Sequence, residues 1–431
     1  MVGLAYAKAG SMKNDNISKT TDTNSLEREK FTRRGFLGLG MATLAVAGMV
    51  PAMRAAGQDR SLTDPGPGNP ELDAENPDSV WPPGTDSKSL VQNFKYSFSL
   101  ANKRTYEGGW SREVTIRELP VSKTIAGVNM RLTAGGVREL HWHTSGEWSI
   151  MLYGNARITA IDRDGKSFVA DVKPYDLWYF PAGLPHSIQG LGPDGCEFML
   201  VFDDGNFSET ETVLLSDSVS HVPPEVLAKN FGVTEEALAN VPKNELFIFQ
   251  AKTPGALEDD QKATAGSLGS TDTDFAFRTL AMSPTKTTKG GEVRIVDSSK
   301  FTVSTTVAMA MVTVRPGGLR ELHWHPNADE WQYYISGKGR MTVVATANKA
   351  RTLDFQAGDV GYVEKTLLHY IENTGDTDLV FLEMFKSDRY QDVSFSEWLS
   401  HTPPELVMAH LNIDRATYDM IPKEEIVVVP A

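Results

Sequence analysis

One cysteine in 431 residues, Cys196, excludes an intramolecular disulfide framework and any cysteine-rich zinc or iron–sulfur site. A metal bound by this chain must therefore be held by His, Asp or Glu. Positive charge is also short: 42 Lys and Arg stand against 56 Asp and Glu, a formal charge of −14. Nucleic acids and anionic membranes are bound by a basic face, so a general binder of either is excluded. An anionic substrate would have to be captured by local positive charge. Long apolar runs are missing with one exception, the uncharged stretch Gly35–Met53, GFLGLGMATLAVAGMVPAM. Its length just spans a bilayer, but Gly, Ala and Pro leave it only weakly apolar.

That stretch follows Thr32, Arg33 and Arg34 and carries Phe36 and Leu37, which resembles a twin-arginine export signal. Residues 1–56 are expected to be removed on export to a periplasmic or extracellular location, with no stable membrane insertion. The remainder would carry 34 Lys and Arg against 52 Asp and Glu, near −18. Residues 57–89, rich in Pro, Gly and Asp, read as an extended lead-in. Beyond them, the length and the 40% apolar content suffice for more than one buried core.

The rest of the chain says most things twice. VSKTIAGVNMRLTAGG at residue 121 parallels VSTTVAMAMVTVRPGG at 303, and YDLWYFPAGLPHSI at 175 parallels GDVGYVEKTLLHYI at 358. SHVPPEVLAKNFGV at 220 parallels SHTPPELVMAHLNI at 400. Two copies of one domain are expected, residues 90–249 and 274–431, joined by a Gly-, Ser- and Thr-rich connector at 250–273. Within each copy, short runs rich in Val, Ile, Phe, Tyr and Thr alternate with Gly, Asp and Pro turns, the pattern of an antiparallel sandwich or barrel. The PPE segments start apolar positions three and four apart, so each all-β barrel should end in a short helical appendage.

Each copy also carries one constellation of metal-binding residue types. On a strand, residues i and i+2 share a face, so His141 and His143 project together and Trp142 points away. After the turn Thr144-Ser145-Gly146, Glu147 can open the returning strand, and His186 can come from a later one. The second copy offers His323, His325, Glu330 and His369. Together these use six of the nine histidines, and the repetition of the set, with one extra residue between His325 and Glu330, argues against chance. Three imidazoles and a carboxylate leave two positions open on an octahedral ion, which favours manganese or iron; copper and nickel also suit the ligands, whereas a closed tetrahedral zinc needs no open position. Arg138 and Arg320, each three residues before the first histidine, are candidates for a fixed positive charge beside each ion.

Gly135, His141, His143, Glu147 and Gly154 are spaced as in the first germin-type cupin motif, and Pro181, Gly183 and His186 fit the second. In the other copy Gly317 to Gly337 fits the first motif, and Gly358 and His369 the second; Tyr175, Glu364 and Thr366 replace Gly, Pro and Gly of the second motif. From about residue 90 onwards the chain resembles the bicupin oxalate decarboxylases, in RELHWH of both copies, DLWYFPAGLPHSIQ, LVFDDGNFSE and QAGDVGYV. The resemblance implies two tandem cupin barrels of the double-stranded β-helix or jelly-roll type and two Mn(II) per chain. It also implies dioxygen as cocatalyst, conversion of oxalate to formate and carbon dioxide, and a homo-oligomer, a trimer or hexamer. It assigns Glu209, in the loop DDGNFSETET, as the proton carrier of a lid near the first metal, and Glu383 as a secondary acid or base near the second. Ser208-Glu209-Thr210-Glu211 departs from the family's usual Ser-Glu-Asn-Ser, and the added charge of Glu211 bears on lid closure. An oxalate oxidase or another bicupin dioxygenase is the nearest alternative. A storage-type bicupin is disfavoured by eight intact ligands, and nothing beyond the fold points to a sugar isomerase.

Overall fold

The computed structural model describes residues 91–346 and 349–431. The expected export segment 1–56 and lead-in 57–89 lie outside the described residues, among which no helix is long and apolar enough to cross a membrane. The first strands are β1 (Lys95–Ser97), β2 (Lys103–Tyr106), β3 (Gly109–Val114), β4 (Ala126–Leu132), β5 (Gly136–Trp142), β6 (Glu147–Gly154), β7 (Ala156–Ile161), β8 (Ser167–Val172), β9 (Asp176–Phe180), β10 (His186–Gly190), β11 (Cys196–Phe202), β12 (Val213–Leu214) and β13 (Ile248–Gln250). The series then repeats as β14 (Ala276–Arg278), β15 (Lys286–Thr287), β16 (Gly291–Val296), β17 (Ala308–Val314), β18 (Leu319–Trp324), β19 (Glu330–Ser336), β20 (Lys338–Ala345), β21 (Lys349–Gln356), β22 (Asp359–Val363), β23 (Leu368–Asn373), β24 (Leu379–Phe385), β25 (Val393–Ser394) and β26 (Val428–Val429).

These strands form two β-barrels, each made of two sheets. In the first, the sheet β14-β9-β6-β11-β4-β3-β2 packs on β12-β5-β10-β7-β8, with β13 also paired to β5. In the second, β1-β22-β19-β24-β17-β16-β15 packs on β21-β20-β23-β18-β25, with β26 paired to β18. Strands such as β4, β6 and β11 are buried along most of their length, because one face lines the barrel interior and the other is covered by neighbouring elements.

The leading strand of each copy closes the barrel of the other. Lys95–Ser97 pairs with β22, and Ala276–Arg278 pairs with β9. Division of the chain by position at 90–249 and 274–431 therefore differs from the division by hydrogen bonding at these two strands. Alternation identifies a strand but does not name its partner. The connector at 250–273 also carries structure of its own, a helix at Leu257–Thr264. It is docked by Asp260 on Arg157 at 2.5 Å and by Gln261, whose side-chain amide donates to the Val169 carbonyl. Each barrel ends in short helices, and those at Pro224–Phe231 and Pro404–Leu411 begin on the second proline of PPE. Proline suits a first turn that has no use for its missing N–H, and the glutamate after it favours the positive end of the helix dipole. They end on Gly232 and Asn412, both left-handed, at φ 68° and 54°.

The crossing strand β1 is fixed by a buried ion pair, Lys95 to Asp359 at 3.3 Å. Burial pushes the Asp359 carboxyl up to about 6 although Lys95 opposes the shift. A carboxyl raised on folding contributes stability that is complete below its unfolded value and is lost as pH rises through 6. Lys95→Met is therefore expected to cost about 3 kcal/mol at pH 8, where it strands a buried carboxylate, and distinctly less at pH 5, where Asp359 is protonated. Urea unfolding at the two pH values measures the difference.

Candidate metal centres and their surroundings

The first group assembles where three strands begin or end. His141 is near the end of β5 and His143 just past it, while Glu147 opens β6 and His186 opens β10. The ladder places His186 opposite His141 and Ile188 opposite Arg138, so between these pairs two residues of β5, Glu139 and Leu140, face one of β10, Ser187. This bulge resets the alternation of β5. Leu140 is turned out to solvent, and Arg138 and His141 are both buried, although an odd spacing on a regular strand would put them on opposite faces. β18 repeats the irregularity, with His323 opposite His369 and Arg320 opposite Ile371.

One ligand atom from each of His141, His143, Glu147 and His186 lies within 4.8 Å of the others. The backbone sets which ring nitrogens those are. Nδ1 of His141 is 2.6 Å from the Glu139 carbonyl, Nδ1 of His143 is 2.7 Å from that of Ser145, and Nδ1 of His186 is 2.7 Å from that of Leu184. A carbonyl only accepts, so Nδ1 carries the hydrogen in each ring and the Nε2 lone pair is free. Glu147 is held in the same way: its Oε1 accepts from Trp178 Nε1 and Ser149 Oγ, both at 3.2 Å, leaving Oε2 to face the histidines. Burial, then Arg138, drives the His141 ring well below its usual value. For Glu147 burial acts in the opposite sense, but His186 and His143 outweigh it and hold the carboxyl well below the usual carboxylate range.

The second group follows the same plan with different supports. His323, His325 and His369 place Nδ1 against the carbonyls of Glu321, Gln391 and Leu367 at 2.7, 2.8 and 3.0 Å. Glu330 Oε1 accepts from Gln332, whose own carbonyl accepts from the Tyr334 hydroxyl. Nε2 of His325 and His369 lie 3.1 and 2.7 Å from Oε2 of Glu330, but with the ring hydrogen on Nδ1 these atoms meet lone pair to lone pair, and they and Nε2 of His323 are buried without a donor. Four converging lone-pair atoms left unsatisfied in this way fit a cation. The donor set, three imidazoles and one carboxylate, suits a borderline or hard first-row ion.

Two departures from the motif glycines fall at left-handed positions. Tyr175 has φ 67° where its counterpart Gly358 has 89°, and Thr366 has φ 69° where Gly183 has 77°. Each copy thus carries one strained residue at a turn the other makes with glycine, and the turns keep their shape because Tyr175 and Thr366 donate to the carbonyls of Met151 and His325.

The two arginines diverge. Arg320 is enclosed by acids, with Glu383 at 3.1 Å, Asp392 at 2.9 Å and the Tyr390 hydroxyl at 2.8 Å. Burial raises the Glu383 carboxyl against the opposing pull of Arg320. The fixed positive charge that Arg320 brings to the second group is therefore matched within the protein by Glu383 and Asp392. Arg138 is as deeply buried but forms no ion pair among the described residues. Its guanidinium stacks 3.9 Å from the centre of the Phe247 ring and donates to the Phe247 carbonyl at 3.3 Å. Burial lowers its pKa, against the nearby acids Glu209 and Glu147.

Glu209 sits at the start of a 3-10 turn, Glu209–Glu211, capped by Ser208. The loop is polar in sequence, yet Glu209 is only 2% exposed; its Oε2 accepts from Ser111 Oγ at 2.8 Å and pairs with Arg104. Of the residues that depart from the family tetrad, Thr210 bonds back to the Ser208 hydroxyl at 2.8 Å, and Glu211 is exposed to solvent. Aromatic rings close over the first group: Phe202 and Phe207 stack at 3.5 Å and lie edge-on to His143, and Phe180 stacks on His186 at 4.3 Å.

Known proteins share this arrangement. The cupin family model matches residues 98–238 and 277–419. Oxalate decarboxylase OxdC of Bacillus subtilis is 52% identical over 371 residues, which cover 86% of this chain and 95% of the relative. This chain belongs to the cupin family, among the bicupin oxalate decarboxylases. A probable oxalate decarboxylase of Arthroderma benhamiae is 39% identical over 388 residues, 89% of this chain and 94% of the relative. A solved structure of the Bacillus subtilis enzyme, studied for its Mn(II) centers, superposes with a TM-score of 0.79 at 52% identity and covers 84% of this chain and 95% of that one.

Within this bicupin frame, sequence reasoning missed the residues that surround the predicted ones: Trp178 behind Glu147, Asp392 and Tyr390 around Arg320, and Arg104 and Ser111 on Glu209. Each lies far along the chain from the group it serves, and none belongs to a spaced motif. The contrast between the arginines has a measurable consequence. Arg320→Met, which leaves Glu383 and Asp392 buried without a cation, is expected to cost about 3–5 kcal/mol of stability. Arg138→Met, which strands no carboxylate, is expected to cost about 1 kcal/mol or less. Denaturant midpoints of the two purified variants test the difference.

Proposed function

We infer that this chain is an oxalate decarboxylase that binds Mn(II) in both metal groups and turns oxalate into formate and carbon dioxide at the first, with dioxygen assisting as cocatalyst. The observation that carries the reading is Arg138: a buried guanidinium beside the first group with no carboxylate of its own, while its duplicate Arg320 has two. An anionic substrate supplies the missing counter-charge at one centre only. Manganese held by His141, His143, Glu147 and His186 would supply Lewis acidity and one-electron redox capacity.

The remaining work falls to side chains. Arg138 presents a planar fork suited to a carboxylate, and in a site walled by Phe180, Phe202 and Phe207 that attraction is little screened by water. It binds and orients one end of oxalate and stabilises charge as the carboxylates reorganise. The C–C bond then breaks; one carbon leaves as carbon dioxide, and the electron pair left on the other takes up a proton to become the C–H of formate. Each oxalate dianion consumes one proton, so turnover makes the medium more basic. Glu209 is the group that delivers this proton: it is a buried acid in the loop that the resemblance to the oxalate decarboxylases assigns as the lid. The second group, with Arg320 neutralised and no such lid, has a structural or electronic role, and Glu383 balances charge there. Export by the twin-arginine route and assembly into a homo-oligomer belong to the same reading.

Glu209→Gln is expected to lower formate production by about a hundredfold or more while two metal ions per chain are retained. Formate release from oxalate, measured beside the metal content of the same preparation, tests the assignment. Formate made at the full rate would contradict it.

A further inference from the structure

Among the described residues the lid acid makes no direct contact with the ligands of the first metal group. Its carboxylate makes no ion pair with Arg138 and no hydrogen bond to the histidines among the described residues; it is turned instead to the edge of the sheet formed by β2 and β3. There the contacts are specific. Arg104 of β2 and Ser111 of β3 both donate to Glu209 Oε2, and the Glu209 backbone N–H donates to Glu113 at 3.2 Å. Arg117 completes the fastening: it pairs with Glu113 at 3.0 Å and donates to the Phe207 carbonyl at 3.2 Å, at the start of the lid. Arg104 is itself held, with its guanidinium 4.7 Å from the centre of the same Phe247 ring on which Arg138 stacks. At the corresponding edge of the second copy, Lys286 pairs with Glu425 at 3.5 Å.

We propose that Arg104, with Ser111, is a positioning residue that parks the Glu209 carboxylate away from the first metal group, so that Glu209 acts only after the lid breaks this pair. The proposal rests on the reading of Glu209 as the proton carrier. Arg104 does not touch the reacting atoms in this role. It sets how often the lid leaves its parked position, and the shared Phe247 ring gives Arg138 a physical link to the same equilibrium.

Hydrogen exchange of the metal-loaded protein separates this role from a merely structural one. Losing a charge-assisted hydrogen bond in Arg104→Gln is expected to speed exchange of the lid amides 207–212 roughly tenfold or more. Amides of β6 and β11 should stay as protected as in the parent, and Arg104→Lys should recover part of the lid's protection. Because Arg104 and Glu209 act through each other, the double variant Arg104→Gln/Glu209→Gln should exchange no faster than the faster single variant. With oxalate, Arg104→Gln should change kcat by about threefold or more with KM little moved. Unchanged lid exchange in Arg104→Gln, additive effects in the double variant, or an unchanged kcat would overturn the proposal. The expected exchange pattern in a protein that makes no formate from oxalate would instead overturn the functional reading and leave the latch standing.

Discussion

Four lone pairs brought to one buried point form the constraint around which each barrel is arranged. With Nδ1 protonated, three imidazoles and a carboxylate turn only lone pairs toward one another in a low-dielectric interior, an arrangement that a bound cation stabilises. The surroundings serve that end. The Nδ1 hydrogens are spent on the carbonyls of Glu139, Ser145 and Leu184, and one oxygen of Glu147 is spent on Trp178 and Ser149, which turns the remaining lone pairs inward. The bulge in β5 belongs to the same arrangement, because it brings Arg138 to the face that His141 occupies.

Duplication preserved this device and changed what stands next to it. Both copies keep four ligands, the bulge and the arginine. In the second copy, Glu383 and Asp392 neutralise the guanidinium, and Leu200 is the first copy's counterpart of Glu383. Two acids, Glu383 on the barrel wall and Asp392 before the closing strand, thus distinguish the second arginine from the first, which has no ion pair among the described residues. The reciprocal strands β1 and β14 tie the two barrels together, so the two centres share one folded unit.

The ligands were legible in the sequence because metal binding imposes short spacings: His141 and His143 two apart, Glu147 at the next strand start, His186 after a Pro and Gly turn. The barrels were legible because their strands alternate and the whole pattern occurs twice, and PPE marked both helix starts. Other features carried no such signature. A bulge adds one residue to one strand without any residue type that announces it, so the inward aim of Arg138 could be guessed only from its neighbours. The pairing of Arg320 joins residues more than sixty positions apart, and the anchoring of Glu209 by Arg104 joins residues 105 apart. The crossing of β1 into the second barrel depends on a register with β22 that alternation alone does not specify.

A first centre that joins four metal-binding residues to a buried arginine without an ion pair and to a lid acid would split oxalate without net oxidation. Uniformly 13C-labelled oxalate supplied to the manganese-loaded protein at mildly acidic pH, followed by carbon NMR and a peroxide assay, tests it most directly. Formate and carbon dioxide are expected in equal amounts, with one proton taken up per oxalate dianion and no accumulation of hydrogen peroxide. Two equivalents of carbon dioxide with peroxide, or no loss of oxalate, would contradict it.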